Sequence, residues 1–231
     1  MSIDITFDFR NDTPTGRDPD TYSRTLRSYH KLLWSKPLPT RERFELSDAT
    51  PGSYLHHESA LGTFHLASDA VMQTFTRWVA LKPITDQLGE AANEQFVAIG
   101  YTMGGMMLFP GNRIDKQITI NVARGFNRSI SDRMDLTLEC IRRHYLGEPS
   151  PLAKVLDRYA DFFALFRSFG GYVDFWLLQD LVNRDRVQFF MPFDNFATAA
   201  VPKDLNTYVE FRRRSIEFIH ARNARISDLG L

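Results

Sequence analysis

SPLAKVLDRYADFFALFRSFGGYVDFWLLQDLV, residues 150–182, decides the class of fold. Ser150 followed by Pro151 reads as a helix start and Gly170 as its stop. Between them Leu152, Val155, Leu156, Tyr159, Phe162, Phe163 and Phe166 recur at helical spacing. The pattern predicts one uninterrupted helix over 151–169. Residues 172–182 are apolar nearly all round, which places them in the centre of a helical half and against that helix.

Working outward, Ser129 or Ser131 starts a helix with the stripe Ile130, Met134, Leu138, Ile141 and Tyr145, stopped by Gly147. Downstream, Arg186 to Met191 reads as a strand, and Pro202 introduces a last long helix over 204–226. Upstream the signals shorten. Ile3, Ile5, Phe7 and Phe9 alternate as an opening strand, and Tyr22, Leu26, Tyr29 and Leu33 give a helix over 20–34. Short strands are expected at 44–46, 53–56 and 62–66. Asp69 reads as the N-cap of a helix over 70–80. A buried strand at 106–109 pairs with 118–122 as a hairpin. The fold class is therefore α+β: a mixed N-terminal half with short strands and a mainly helical C-terminal half. With no polar low-complexity linker, residues 1–231 read as a single globular domain.

The net formal charge is zero, so the molecule as a whole exerts no long-range pull on nucleic acid or anionic lipid. Residues 1–111 hold 10 basic and 13 acidic side chains, however, so an opposite excess of basic groups falls in the C-terminal part. One cysteine, Cys140, excludes an intramolecular disulfide and a multi-cysteine zinc site. The histidine-dense patch of His56, His57, Glu58 and His65 would bring His57 and His65 together on adjacent strands, but its spacing fits no metal pattern. We expect neither metal nor cofactor. The N-terminus has no basic start and apolar run of a secretory signal, and no apolar stretch is long enough to span a bilayer. The expectation is a soluble, cytoplasmic protein with no membrane partner.

Arginine supplies the chemical signature, concentrated in TINVARGFNRSISDRMDLTLECIRRHY, residues 119–145. Its planar, permanent charge suits phosphate or carboxylate, so Arg124, beside the adaptable Gly125, with Arg128 and Arg142, forms a candidate ligand clamp. The competing reading ties these arginines to local acids, as in the i,i+4 pairs Arg128 to Asp132 and Glu139 to Arg143. Asp174 and Asp180, on the mostly apolar segment, are candidate buried carboxylates that must meet an arginine or serve as acid–base groups. Arg214 and His220 are catalytic candidates because their spacing resembles the active-site pattern of helical higher-eukaryote and prokaryote nucleotide-binding ribonucleases. This chain departs from that pattern in having Glu217 between them and strands among its helices.

Three segments, FDFRNDTPTGRDPDTYSRTLRSYHKLLWSKPLP, the block from FPGNRI through NVARGFNRSISDRMDLTLECIRRHYLG, and GYVDFWLLQDLV, resemble a family of uncharacterised bacterial proteins. The resemblance runs over nearly the whole chain and carries no activity with it. The leading expectation is an arginine-rich protein that engages phosphate, as nucleic acid or nucleotide, and acts on RNA. The alternatives are a non-catalytic interaction or scaffold module, and a small-molecule enzyme with a buried-carboxylate pocket between Trp34, the 96–110 segment and Asp174.

Overall fold

The structure, a computed structural model, describes residues 2–49 and 54–231. Its first helices are α1 (Pro19–Tyr22) and α2 (Arg24–Trp34), followed by strands β1 (Leu55–Ser59) and β2 (Gly62–Ala70). Then come α3 (Lys82–Thr85), α4 (Gly89–Gly100), β3 (Met106–Pro110), α5 (Ile120–Phe126) and α6 (Met134–Leu146). The C-terminal part holds α7 (Ala153–Asp157), α8 (Ala160–Ala164), α9 (Phe169–Phe175), the two-residue strands β4 (Val182–Asn183) and β5 (Arg186–Val187), and α10 (Leu205–Asp228). The class is α+β. One hydrophobic cluster runs from Phe9 to Ile226, and no helix among the described residues is long and apolar enough to cross a membrane.

Side-chain caps and one left-handed glycine fix several of the helix boundaries. Asp18 and Ser23 accept from the backbone amides of Asp20 and Leu26, so the expected helix over 20–34 is divided at Ser23. Asp204 caps α10 through Thr207, and Gly147 ends α6 in the left-handed conformation at φ 68. The antiparallel sheet has the order β1-β2-β3, with β2 central.

Several expectations are corrected. Residues 70–80 hold no capped helix, because the alternation that begins at Gly62 continues to Ala70 and makes Asp69 a strand residue opposite Met107. The partner of β3 is therefore β2, and 120–126 is free to form α5 with Thr119 as cap. The segment 3–9 is not a strand; Phe9 instead begins a 3-10 turn. Residues 44–46 form no strand beyond neighbouring isolated bridges at Arg43 and Ser47. The 53–56 strand is realised from Leu55, Ser53 lying outside the described residues, and the strand expected over 186–191 shortens to β5.

The long helix over 151–169 is broken. Tyr159 and Phe166 bond back to Leu156 and Phe163, one residue short of α-helical spacing. The break is anchored from outside: Tyr159 donates its hydroxyl to Asn112 O at 2.6 Å and Arg158 donates to Ile118 O at 2.6 Å. All seven stripe residues are nonetheless buried. The chain reverses at Arg167, φ 65, rather than at Gly170. Gly171 answers a different demand, since a Cβ there would collide with the Phe166 carbonyl oxygen.

Candidate active site

Where β2 passes α5, carboxylates from remote parts of the chain meet one arginine. Arg124 has no exposed side-chain surface. Its Nη1 donates to Asp69 Oδ2 at 2.7 Å, its Nε to Thr137 Oγ1 at 3.2 Å and its Nη2 to the Asp132 carbonyl at 3.1 Å. The Asp132 carboxylate lies 3.3 Å from Nε, and the guanidinium covers the Phe109 ring at 5.2 Å. Asp132 reaches this position because Ser131 and Asp132 are both left-handed, at φ 50 and 59, which delays α6 and turns the carboxylate back onto Arg124.

Asp20 joins from α1, its Oδ2 accepting from Ala70 N at 3.2 Å beside Asp69. Burial raises its pKa well above the usual carboxylate range, and the Asp69 charge adds to the shift. Burial also pushes Asp69 up to about 7, against the opposing pull of Arg124. Asp132 is raised for the same reasons. The charge of Asp69, which holds the ion pair with Arg124, disfavours ionisation of Asp20 beside it. Asp69 and Asp132 keep 23% and 30% of their side-chain surface exposed, so both can be reached from solvent.

The opposite side of β2 is fixed by a buried chain of hydrogen bonds. Trp34 Nε1 donates to His30 Nδ1 at 3.0 Å, which leaves Nε2 to carry the proton and donate to Ser68 Oγ at 3.0 Å. Burial, with the nearby Arg222 charge, lowers the His30 pKa to about 3, so the ring stays neutral.

The arginine candidates occupy unlike surroundings. Arg124 is sealed in its ion pairs, and Asp132 turns to it rather than to Arg128. Arg128 is exposed. Arg142 forks onto Glu139 at 2.8 and 2.9 Å, with Glu148 at 3.5 Å, and Glu139 also takes Arg143 at 2.7 Å. Arg142 therefore carries its own acids, although the i,i+4 spacing points to Arg143 for Glu139. Asp174 is not buried: it lies exposed and accepts from Gln179. Asp180 meets Arg225 at 2.6 Å on the surface. The pocket expected beside Trp34 is filled, with Trp176 centred 4.9 Å from the indole and the Arg222 guanidinium at 5.4 Å.

Arg214 and His220 are not brought together. Arg214 binds Glu210 and the Phe189 carbonyl on one side of α10, while His220 lines a separate cavity with Asp8, Thr102 and Asn223. The histidine patch resolves differently from its expectation, since the register sets His56 opposite His65 and His57 opposite Phe64. Among the described residues no group of three or more His, Cys, Asp or Glu side chains is placed to hold a metal ion.

Sequence reasoning missed Asp20 and Asp69. One signal was available: aspartate is depleted in strands, so an Asp continuing the alternation of 62–68 marks a position held for something other than folding.

The model of DUF6994, a family of unknown function, matches residues 3–226, nearly the whole chain. The chain belongs to this family. No curated protein and no solved structure matches it. Family membership adds no activity, so the function must be argued from the Asp20, Asp69, Asp132 and Arg124 geometry.

Proposed function

We propose that the chain is a small-molecule enzyme working by general acid–base catalysis. Asp69 is the proton-transferring group, Asp20 a neighbouring proton store, and Arg124 the cation that orients Asp69 and stabilises its charge. The reading rests on the convergence of Asp69 and Asp132 on the fully buried Arg124, with Asp20 beside Asp69. A carboxyl poised near neutrality can both take and return a proton at working pH, and neighbouring acids with unlike environments are a recurring acid–base arrangement. Partial exposure of Asp69 and Asp132 suits a small substrate. A surface polyanion, by contrast, finds Arg124 out of reach.

The test is a carbon-detected NMR titration of the aspartate side chains, paired with a turnover screen on chromogenic hydrolysis substrates. Asp69 is expected to titrate near pH 7, and any turnover found should fall by about a hundredfold or more in Asp69→Asn. Titration of Asp69 near the ordinary value of about 4, or turnover indifferent to Asp69→Asn, defeats the reading.

A further inference from the structure

Between β5 and α10 the chain runs from residue 188 to 204 without helix or strand. Irregular stretches beyond about 15 residues are uncommon inside a compact fold and, where they are held in place, usually serve a function. This one is fastened to the turn that precedes α6: Ala200 N donates to Arg128 O at 3.0 Å, and Ser129 Oγ to Phe196 O at 2.7 Å. Its residues, with Arg133 and Thr207, line a cavity of about 140 Å³.

Arg133 is a buried charge, its side chain 2% exposed. Its Nε and Nη2 fork onto the Asp135 carboxylate at 3.1 and 2.5 Å, and Nη2 also reaches Met191 O at 3.5 Å. Asp135, fully buried, accepts in addition from Phe190 N at 2.8 Å. The plane of the guanidinium is thereby fixed, with one nitrogen left over. Nη1 donates to no described residue, yet it is not sealed, so it faces the cavity that Arg133 lines. Buried donors are ordinarily paired, and a fixed one turned into a cavity is placed to meet a ligand.

The chemistry of the wall defines that ligand. A guanidinium nitrogen and the Lys203 ammonium on the rim only donate. Asn195, also on the rim, holds Ala197 N on its Oδ1 at 2.8 Å, which leaves its NH2 to be offered. The ligand must therefore accept hydrogen bonds, and an ammonium would meet donors. Arg133 is balanced by Asp135 and Lys203 by the exposed Asp194 on the same rim, while the neighbouring Asp204 is spent on Thr207 N. A dianion thus finds no surplus of positive charge, whereas a single charge on two oxygens still gains charge-assisted bonds. Met191, Phe193, Ala200 and Val201 supply an apolar wall. A cavity of about 150 Å³ holds a benzene ring, so this one admits about six non-hydrogen atoms and no nucleotide.

We propose that the cavity binds a short-chain aliphatic carboxylate, with its oxygens on Arg133 Nη1 and Lys203 and its alkyl tail against Met191 and Val201. None of Asp69, Asp132 and Arg124 lines it, so the site is additional to the carboxylates gathered on Arg124.

Calorimetry on the full chain with butyrate, butyramide, butylammonium and inorganic phosphate decides the class, and the methyl NMR signals of Met191 and Ala200 locate the binding. Butyrate is expected to bind at least about tenfold tighter than the isosteric butyramide, and tighter than the other two, because its bonds to Arg133 are charge-assisted. It should also move both methyl signals. Arg133→Lys keeps a cation for Asp135 but loses the fixed fork, and should weaken butyrate by about tenfold or more. Lys203→Ala removes an exposed side chain with no partner among the described residues, so it should leave the melting temperature unchanged and weaken butyrate by about two- to fivefold. This second variant reads the site even where Arg133→Lys does not fold. Butyramide binding as well as butyrate, phosphate binding tighter, unmoved methyl signals, or an affinity indifferent to Lys203→Ala or to a folded Arg133→Lys overturns the assignment.

Discussion

Arg124 is a permanent charge with no exposed surface, and what stabilises it is the pair of carboxylates it stabilises in turn. Removing one side of such an arrangement leaves buried charge uncompensated. Arg124→Leu should cost about 3–5 kcal/mol in a urea melt near neutral pH, and part of that loss should return in acid, where Asp69 and Asp132 protonate. A loss that does not shrink on acidification would show that packing, not charge, is what Arg124 contributes. The pH dependence has a definite sign. Asp69 is held at about 7 in the fold against an ordinary 3.8, so its neutral form adds stability that is complete below 3.8 and lost as pH rises through about 7. His30, held at about 3 against 6.5, acts oppositely: its contribution is present above 6.5 and lost as pH falls toward 3. The two slopes offset each other where the windows overlap. Asp69→Asn should expose the histidine slope, so that the variant gains on the wild type across that window and the difference levels off above about 7. Denaturant midpoints over a pH series check this, and a constant difference rules it out.

At the scale of elements, local chemistry was readable and long-range pairing was not. Asp204 and Gly147 act within a turn of the residues that name them, so the bounds of α10 and the end of α6 follow from spacing alone. The burial of Phe162 and its stripe also follows, since periodicity reports which side faces inward. Continuity does not: the break at Tyr159 is set by bonds to Asn112 and Ile118, 47 and 40 residues away. The Asp69 and Arg124 contact spans 55 residues and depends on β2 extending to Ala70. Three substitutions test the elements. Phe162→Ala should cost about 3–5 kcal/mol, because the ring is fully buried. Gly171→Ala, read in the same urea melt, should cost about 1–3 kcal/mol as α9 moves away from the Phe166 carbonyl, whereas Gly125→Ala, with open space around it, should change little.

Across the whole molecule, α10 is tied to the sheet and to α9 through one residue. Arg222 is buried, donates to the carbonyls of Trp176, Gly104 and Met106, and meets no carboxylate among the described residues. Burial lowers its pKa to about 9. Carbonyl dipoles rather than a counter-ion balance it, so Arg222→Lys cannot reproduce its fan of donors. We expect that variant to lower cooperativity, seen as a reduced denaturant slope, as α10 loosens from the sheet. An unchanged slope would place the coupling in apolar packing alone.

The fold also keeps time. Cys140 is the only cysteine of the chain, fully buried on α6, with burial pushing its thiol up to about 12. A thiol-modifying dye can therefore react only through openings that expose α6. Its reaction rate at increasing dye concentration changes from measuring how often α6 is open to measuring how fast it opens. Because α6 carries Thr137 against Arg124, the same clock, run with and without a bound molecule, reads occupancy of the site without any measurement of turnover.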